Sequence, residues 1–507
     1  MSLTSLLRPY FIRSINDRYD SYINRPWTVQ ERQLMALLTE AEKTSFGRDH
    51  GFSEITDYQA FRSQVPLHRY EDLRQEIMKM VNGTPDVLWP GRIDNFAQSS
   101  GTSDGKSKYI PISKESFRRC HYKGAQDCVA YYLRMNPLSR IFDGRSFILG
   151  GSFATELHPH RHNVKIGDLS ANLIDRINPL VNLIRIPDKR TALMADWQQK
   201  LPALVEASRH QRNITNISGV PSWFLSVIKE VLKAEGKTNL QSVWPELEVF
   251  FHGGISFKPY REQYEALTDP ARMHFVETYN ASEGFFAVQS SWNTKAMLLL
   301  LDIGVFYEFI PLSETTKEHP ATLTVADVTP GNTYELVISS CNGLWRYRIG
   351  DTVRVESVNP LKITVAGRTK HFINAFGEEV MVYNTDEAVT AACRTCNAAV
   401  KDYTVAPIFA TATTKGRHEW LIEFDRRPDD LDKFADVLDK ELQHVNSDYE
   451  AKRSGNLFIE RPSIVVARKG LFDDWLLATS GKLGGQRKIP RLSNNRDIID
   501  RMLEFNG

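Results

Sequence analysis

The chain has 507 residues, of which 42% are hydrophobic and 25% charged, the balance of a globular protein of several domains. Lys+Arg at 63 against Asp+Glu at 62 leave a net charge of +1, which excludes bulk binding to nucleic acid or to an anionic membrane. Five cysteines in so long a chain do not suggest a disulfide scaffold, and a reducing cytoplasm is the expected location.

Residues 1 to about 80 carry a helical pattern with few turn signals. The first residues are interrupted by Arg8 and Arg13, so no signal-peptide core is expected there. The longest aliphatic run, Met297 to Leu301, stops at Asp302, too short to cross a bilayer. From 90 to 300 short apolar strands alternate with helices, including Thr191 to Glu206 and Ser222 to Glu235. From Ala296 to about Thr364 strand patterns follow one another, punctuated by Gly331-Asn332 and by Asn342-Gly343, a strong hairpin signal. The remainder reads as a strand near Glu379 to Val382, a helix from Thr385 to Val400, and strands at Thr404 to Ala410 and Trp420 to Phe424. A helix from Leu431 to Val445 and a strand from Ile464 to Ala467 complete it. That β-α-β-β-α-β order is ferredoxin-like. The expected organisation is a large α/β N-terminal domain with a β-rich subdomain (1–366) and a small α+β cap (367–507), joined near Ala366 to Lys370.

The most informative segment is Phe96 to Ser113. Ser99, Ser100, Thr102 and Ser103 supply hydroxyl donors, Lys106 and Lys108 supply charge, and Gly101 and Gly105 let backbone N–H groups close on an anion. Its spacing fails the Walker motif: three residues separate the glycines where four are needed. It also runs into Lys-Tyr-Ile-Pro-Ile, a strand-like stretch, where a Walker loop opens a helix. A phosphate loop between extended segments is how adenylate-forming enzymes hold ATP; the alternative is a polar turn.

Four further segments suit the same chemistry. His252-Gly253-Gly254 follows a buried-strand pattern, and Gly254 allows a flat ring to approach, or simply turns the chain. In Tyr279-Asn280-Ala281-Ser282-Glu283-Gly284 the Tyr279 ring can stack on a purine, and Ser282 can bond a phosphate oxygen. Glu283 can hold Mg²⁺, a hard ion that shares oxygen ligands with substrate phosphates. The alternative is a loop with a solvated glutamate. In Tyr347-Arg348-Ile349-Gly350-Asp351 the carboxylate ends a strand pattern and can accept from both ribose hydroxyls, or be a turn residue. The tail from Gly481 to Arg491 is basic and rich in glycine, fit to deliver a cation on a mobile loop or to be merely solvated.

Other signals are discounted. His158, His160 and His162 alternate as zinc ligands can, without a cysteine or carboxylate to complete the set. Cys393 and Cys396 stand alone in a helical pattern. His68 to Asp72 has the H-x-x-x-D spacing of some acyltransferases but a helix-start context. No G-x-S-x-G elbow occurs.

Taken in order, Ser-Ser-Gly-Thr-Ser-x-Gly-x-x-Lys, Tyr-x-Ala-Ser-Glu, Tyr-Arg-x-Gly-Asp and Gln-x-Lys-x-Pro-Arg resemble the auxin-responsive Gretchen-Hagen family of acyl-acid amido synthetases. This is a branch of the adenylate-forming superfamily with plant and bacterial members, and the Gly-Lys-Leu-Gly-Gly-Gln tail looks more like the bacterial branch. The resemblance runs from Phe96 to Leu492. It implies ATP and Mg²⁺ as cofactors, with a small carboxylic acid and an amino acid as partners. It implies nucleotide contacts at Ser99, Ser100, Thr102, Ser103, Tyr279, Ser282, Asp351 and Arg368, and Mg²⁺ at Glu283. Arg368 and Lys370 fall at its hinge, and Lys488 matches its C-terminal lysine. The stretch from Phe376 to Tyr383 departs from the plant enzymes, in the region of the acceptor. Coenzyme A as acceptor, or a nucleotide-binding protein without catalysis, are the other readings; intact Glu283, Asp351 and Lys488 speak against the last.

Overall fold

The computed structural model describes residues 2–99, 108–153, 155, 157, 161, 163–254, 257, 260–292, 294–368, 372–373, 375–376, 378, 380–409, 416–446, 449–450, 453, 459–480 and 489–507. Contacts divide it into two compact units. One comprises residues 1–349, 353–364 and 484–486, and the other 350–352, 365–483 and 487–507.

The larger unit opens with helices, as the pattern leads one to expect. Leu3–Asn24 begins where Ser2 accepts the Ser5 N–H at 3.1 Å. Pro26–Ala41 begins on a proline, whose missing N–H costs nothing at a first turn, and buries Leu34, Leu37, Leu38 and Ala41 along one face. In Tyr70–Val81 the Asp72 carboxylate accepts the Arg69 N–H at 2.7 Å. Asp72 is therefore a helix cap, in keeping with a structural reading of the His68 to Asp72 spacing.

The strands, in chain order, are β1 (Asn95–Ser99), β2 (Lys108–Pro111), β3 (Arg145–Ile148), β4 (Lys165–Gly167), β5 (Arg185–Ile186), β6 (Ile214–Gly219) and β7 (Val249–Gly253). They continue with β8 (His274–Ala281), β9 (Gly284–Gln289), β10 (Met297–Leu299), β11 (Val305–Pro311), β12 (Thr333–Ser340), β13 (Leu344–Val358) and β14 (Leu361–Arg368). A small sheet has the order β2-β1-β4, and a large one β11-β12-β13-β14-β10-β9-β8-β7-β6-β3-β5. In the large sheet β5, β3, β6, β7 and β8 run parallel. The pairs β8–β9, β9–β10, β10–β14 and β11–β12 are antiparallel. The parallel strands need crossovers, which the helices Pro221–Glu235 and Arg261–Leu267 provide between β6, β7 and β8. Phe147, Ile217, Phe224, Val227, Val231, Trp244 and Phe250 make the core between those helices and that half of the sheet.

Two helix boundaries differ from the periodicity. Thr191 to Glu206 is broken: Asp196 accepts the Gln198 N–H at 2.9 Å and starts a new helix, Trp197–Arg209. The first C-terminal helix is Val382–Thr395 rather than Thr385 to Val400. Asn397 adopts φ +51° just after it, and β17 (Ala399–Ile408) begins two residues later.

In the smaller unit β15 (Phe372–Ile373) pairs with β16 (Val380–Met381). β17, β18 (Arg417–Arg426) and β19 (Ser463–Ala467) form a separate sheet, antiparallel then parallel. The β-α-β-β-α-β order is present along the chain, but the first strand pairs with β15 and not with the sheet of three. Helices Leu431–Val445, Leu471–Ser480 and Asp497–Asn506 complete this unit. No helix among the described residues is long and apolar enough to cross a membrane.

Candidate active site

The large sheet changes from parallel to antiparallel at β8, and the candidates Gly254, Tyr279, Ser282 and Glu283 lie at the carboxyl ends of β7 and β8. Ligands in open α/β sheets bind at such ends, where the chain direction changes and strand termini leave backbone groups unpaired. β8 and β9 are joined by a connection of only two residues, Ser282 and Glu283, with Ala281 opposite Gly284. Neither turn residue has positive φ, and the pairing shifts register between Tyr279 and Asn280. Such a shift re-aims the side chains beyond it. Ser282 and Glu283 are 2% and 6% exposed, unusual burial for a hairpin tip, where a glutamate is normally solvated.

The turn is held from two sides. Asn342, between β12 and β13, donates from Nδ2 to the Glu283 carbonyl at 2.9 Å. Gly343 beside it has φ +85°, the conformation that the Asn-Gly signal requires. On the other side, the Phe285 N–H donates to Cys120 Sγ at 3.2 Å. A Cβ on Gly284 would lie 2.7 Å from the Phe286 ring, so the close approach depends on glycine. The carboxylate therefore stands on a rigid frame.

Gly253 pairs with Thr278, and a Cβ there would meet the Thr278 carbonyl at 2.5 Å. Gly254 turns the chain with φ +81°. Tyr279 is 6% exposed, its ring packed on Phe286 with centroids 5.0 Å apart. The two glycines, Tyr279, Ser282 and Glu283 thus belong to adjacent strand ends. The donor set fits Mg²⁺. One carboxylate on a fixed turn suits an ion that takes its remaining ligands from substrate phosphates and water.

The phosphate-loop candidate begins and ends on a β-ladder: Ser99 pairs with Lys108 across β1 and β2. Lys108 Nζ lies 3.5 Å from the Tyr347 hydroxyl and 5.8 and 5.9 Å from the Tyr70 and Tyr347 ring centroids. Burial pushes the Tyr70 hydroxyl up to about 12, so it stays protonated; it accepts the Tyr109 N–H at 2.9 Å. His68 accepts the Arg348 N–H on its carbonyl at 2.8 Å and donates its own N–H to the Arg346 carbonyl at 2.9 Å, bridging to Tyr347. Arg348 is committed to Glu335, with Nε–Oε1 at 3.0 Å. The arginine of Tyr347 to Asp351 therefore belongs to the framework. Asp351 is 6% exposed on β13, after Gly350 at φ +86°, and groups with the smaller unit.

Ser100, Thr102, Ser103, Lys370 and Lys488 lie outside the described residues, as do His158, His160 and His162. Arg368 ends β14, and only its backbone is described. Reading the sequence missed Asn342 as the clamp on Glu283, and Cys120 behind Gly284. The Asn-Gly signal located the turn, and nothing local said where the amide would reach.

The GH3 family N-terminal domain matches residues 16–273, its central domain 298–368 and its C-terminal domain 383–497. A probable indole-3-acetic acid-amido synthetase, GH3.1 of Arabidopsis thaliana, is 23% identical over 93% of this chain and 90% of its own. A jasmonoyl–L-amino acid synthetase, JAR4 of Nicotiana attenuata, is 23% identical over 65% of this chain and 66% of its own. Among solved structures, the GH3.15 acyl acid amido synthetase superposes with a TM-score of 0.77 at 20% identity, over 96% of this chain and 95% of the other. A 2-hydroxyisobutyryl-CoA ligase in complex with an acyl-AMP superposes with a TM-score of 0.61 at 13% identity, over 96% and 94%.

Proposed function

This chain belongs to the GH3 family, and from that premise we propose that it is an ATP-dependent acyl-acid amido synthetase. The observation that carries the reading is the buried Ser282–Glu283 turn beside Gly253-Gly254, at the point where the sheet changes direction. The relatives' names, amido synthetases of indole-3-acetic acid and of jasmonate, support a carboxylic acid as substrate and an amino acid as acceptor.

In the first half-reaction a carboxylate oxygen of the acid attacks the α-phosphorus of ATP. The bond from that phosphorus to its bridging oxygen breaks, and pyrophosphate leaves. In the second, the amine nitrogen attacks the acyl carbon, the carbon–oxygen bond to AMP breaks, and the amine loses a proton. Neither half needs an enzyme nucleophile, so the protein acts by positioning and electrostatics. Ser99, Ser100, Thr102 and Ser103 take the phosphates. Gly254 and Tyr279 bound the adenine, Ser282 bonds a phosphate oxygen, and Asp351 accepts from the ribose hydroxyls. Glu283 holds Mg²⁺, which supplies charge neutralisation at the phosphates. Arg368 joins the nucleotide contacts at the hinge with Lys370, between a domain of residues 1–366 and a cap of 367–507. Lys488, on the cap, brings positive charge to the reacting phosphate. The likeness of the tail to the bacterial branch and a cytoplasmic location are part of the same reading, and five free cysteines accord with the latter.

The test is pyrophosphate exchange into ATP across a panel of acids, followed by the mass of any conjugate. Exchange should depend on one class of acid, and the conjugate should carry an amino acid. Exchange indifferent to every acid counts against adenylation, and a thioester as the favoured product replaces the amine with coenzyme A. Lys488→Ala should slow single-turnover adenylate formation by about 10²–10³ with little change in ATP affinity, because its contact belongs to the transition state. If Lys482→Ala is the crippled variant instead, the assignment passes to Lys482.

A further inference from the structure

In the smaller unit, the chain that follows the basic tail is docked along β17. β17 is an edge of the sheet β17-β18-β19, and Leu492 pairs with Val405 in parallel on its open side. The Val405 N–H donates to the Arg491 carbonyl at 2.8 Å, and the Ser493 N–H to the Val405 carbonyl at 3.0 Å. Pro490 suits the start of such an edge because it has no N–H to leave unpaired. Its carbonyl accepts from the Thr404 hydroxyl at 2.7 Å. Leu492 is fully buried in the core that holds Trp420, Phe434 and Leu438.

The Arg491 side chain ties this short strand to helix Val382–Thr395. Its Nη1 donates to Asp386 Oδ1 at 2.5 Å, and the guanidinium carbon lies 4.7 Å from the centroid of the Tyr403 ring. The Tyr403 hydroxyl donates to the same Asp386 oxygen at 2.7 Å, and Thr385 Oγ1 lies 2.8 Å from that hydroxyl. Asp386 and Tyr403 are buried, and burial pushes the Tyr403 hydroxyl well above its ordinary value, so it stays a donor. Asp402 also feels the Arg491 charge, but its carboxylate accepts the Tyr403 N–H at 2.9 Å. A buried charge-assisted bond from a guanidinium stacked on a ring is strong and directional.

Lys488 is joined to Arg491 through Ile489 and Pro490 alone. Proline fixes its own φ and restricts the residue before it to extended conformations, so the link is short and stiff. Where Arg491 is held therefore limits where the Lys488 amine can reach.

We propose that Asp386 is a positioning residue for adenylation: by holding Arg491 against Tyr403 it docks Pro490 to Ser493 on β17, and the docked strand sets the place of Lys488. The part concerning Lys488 rests on the function proposed above; the docking by Asp386 does not. Asp386→Asn keeps the shape of the side chain and removes its charge. Hydrogen exchange at Val405 and Ser493, whose N–H groups make the docking bonds, should quicken by about tenfold or more in this variant of the full chain. Single-turnover adenylate formation should slow by about 10–100-fold with ATP affinity unchanged, as loss of orientation does. In a Lys488→Ala background Asp386→Asn should slow nothing further, because groups that act as one unit are not additive. Glu419→Gln, which loses the ion pair with Arg496 further along the same segment, is the control for lost stability and should adenylate near the wild-type rate. Arg491→Lys keeps the charge without the planar fork over Tyr403; it tests the same contact, with the same outcomes, where Asp386→Asn does not fold. Unchanged exchange at Val405 and Ser493 overturns the docking. Quickened exchange with unchanged adenylation, slowing equal in both backgrounds, or equal slowing by Glu419→Gln overturns the positioning of Lys488. A Lys488→Ala variant as fast as the wild type fails the role proposed for Lys488, while hydrogen exchange still decides the docking.

Discussion

The two halves of the large sheet treat their buried charged groups differently. In the antiparallel half, buried charges are matched within the protein. Arg346, 4% exposed, meets Glu308, 0% exposed, at 2.8–3.2 Å, and its remaining arm donates to the carbonyls of Arg62 and Val65 at 3.0 and 2.8 Å. Tyr58 and Thr322 close the same cluster. In the parallel half β6 and β7 end in glycines, and the buried titratable side chains His252 and Lys200 are found there. His252 is buried with neither ring nitrogen bonded among the described residues, and its ring stacks on Phe257 at 4.0 Å. Lys200, buried in helix Trp197–Arg209, has carbonyls of Gly150, Gly151 and Met194 as its acceptors, at 2.6, 3.4 and 3.2 Å, and burial lowers its pKa to about 8. The difference separates framework from site. One half matches its buried charges within the protein, and the other keeps close-approach backbone at its strand ends.

The largest effect should come from breaking the buried ion pair of the antiparallel half. Arg346→Ala leaves Glu308 buried and unpaired, which costs about 3–5 kcal/mol in unfolding free energy, read by chemical denaturation. Joint replacement with Glu308→Leu should recover much of it. A single variant as stable as the wild type would remove the contrast between the halves.

Glu283→Gln tests the junction. Turnover should fall by about 10²–10³ while stability changes by less than about 1 kcal/mol, because the turn is fixed through the Glu283 carbonyl, which the substitution keeps. A large loss of stability with unchanged turnover would make Glu283 framework.

Acid should act on the parallel half through His252. Burial pushes the His252 pKa down to about 3 from 6.5, and the nearby charge of Arg261 acts the same way. Below pH 6.5 the unfolded chain takes up a proton that the folded chain refuses, so stability falls as pH drops from 6.5 toward 3. At pH 5 this amounts to about 2 kcal/mol from one group. His252→Phe should reduce that slope in denaturation measured from pH 7 to 5, with the remainder left to His121, which burial lowers to about 4. An unchanged slope assigns the effect elsewhere.

A further effect concerns close approach. Gly253→Ala places a methyl against the Thr278 carbonyl and should cost about 1–3 kcal/mol, with a raised KM for ATP. A loss of stability with KM unchanged would separate this glycine from the nucleotide.

The architecture and the order of the motifs were legible along the chain because they rest on local pattern. Apolar runs bounded by glycine, helical periodicity from Leu34 to Ala41, and the Asn342-Gly343 signal each act over a few residues. The helix from Thr191 was misjudged because Asp196 offers the backbone a competing cap inside an otherwise helical stretch.

By itself the sequence determined which residue types stand at Ser99, Tyr279, Ser282, Glu283 and Asp351, and that strands flank them, since strand and turn preferences are properties of neighbours. Only the tertiary structure decided that the Ser282–Glu283 turn is buried, and that Asn342 holds it from one side and Cys120 from the other. It alone decided that Arg346 and Arg348 are spent on Glu308 and Glu335. Those outcomes depend on groups far apart in the chain, Asn342 and Glu283 being 59 positions apart, and a hydrogen bond at that separation exists only once packing has brought the partners within 3 Å.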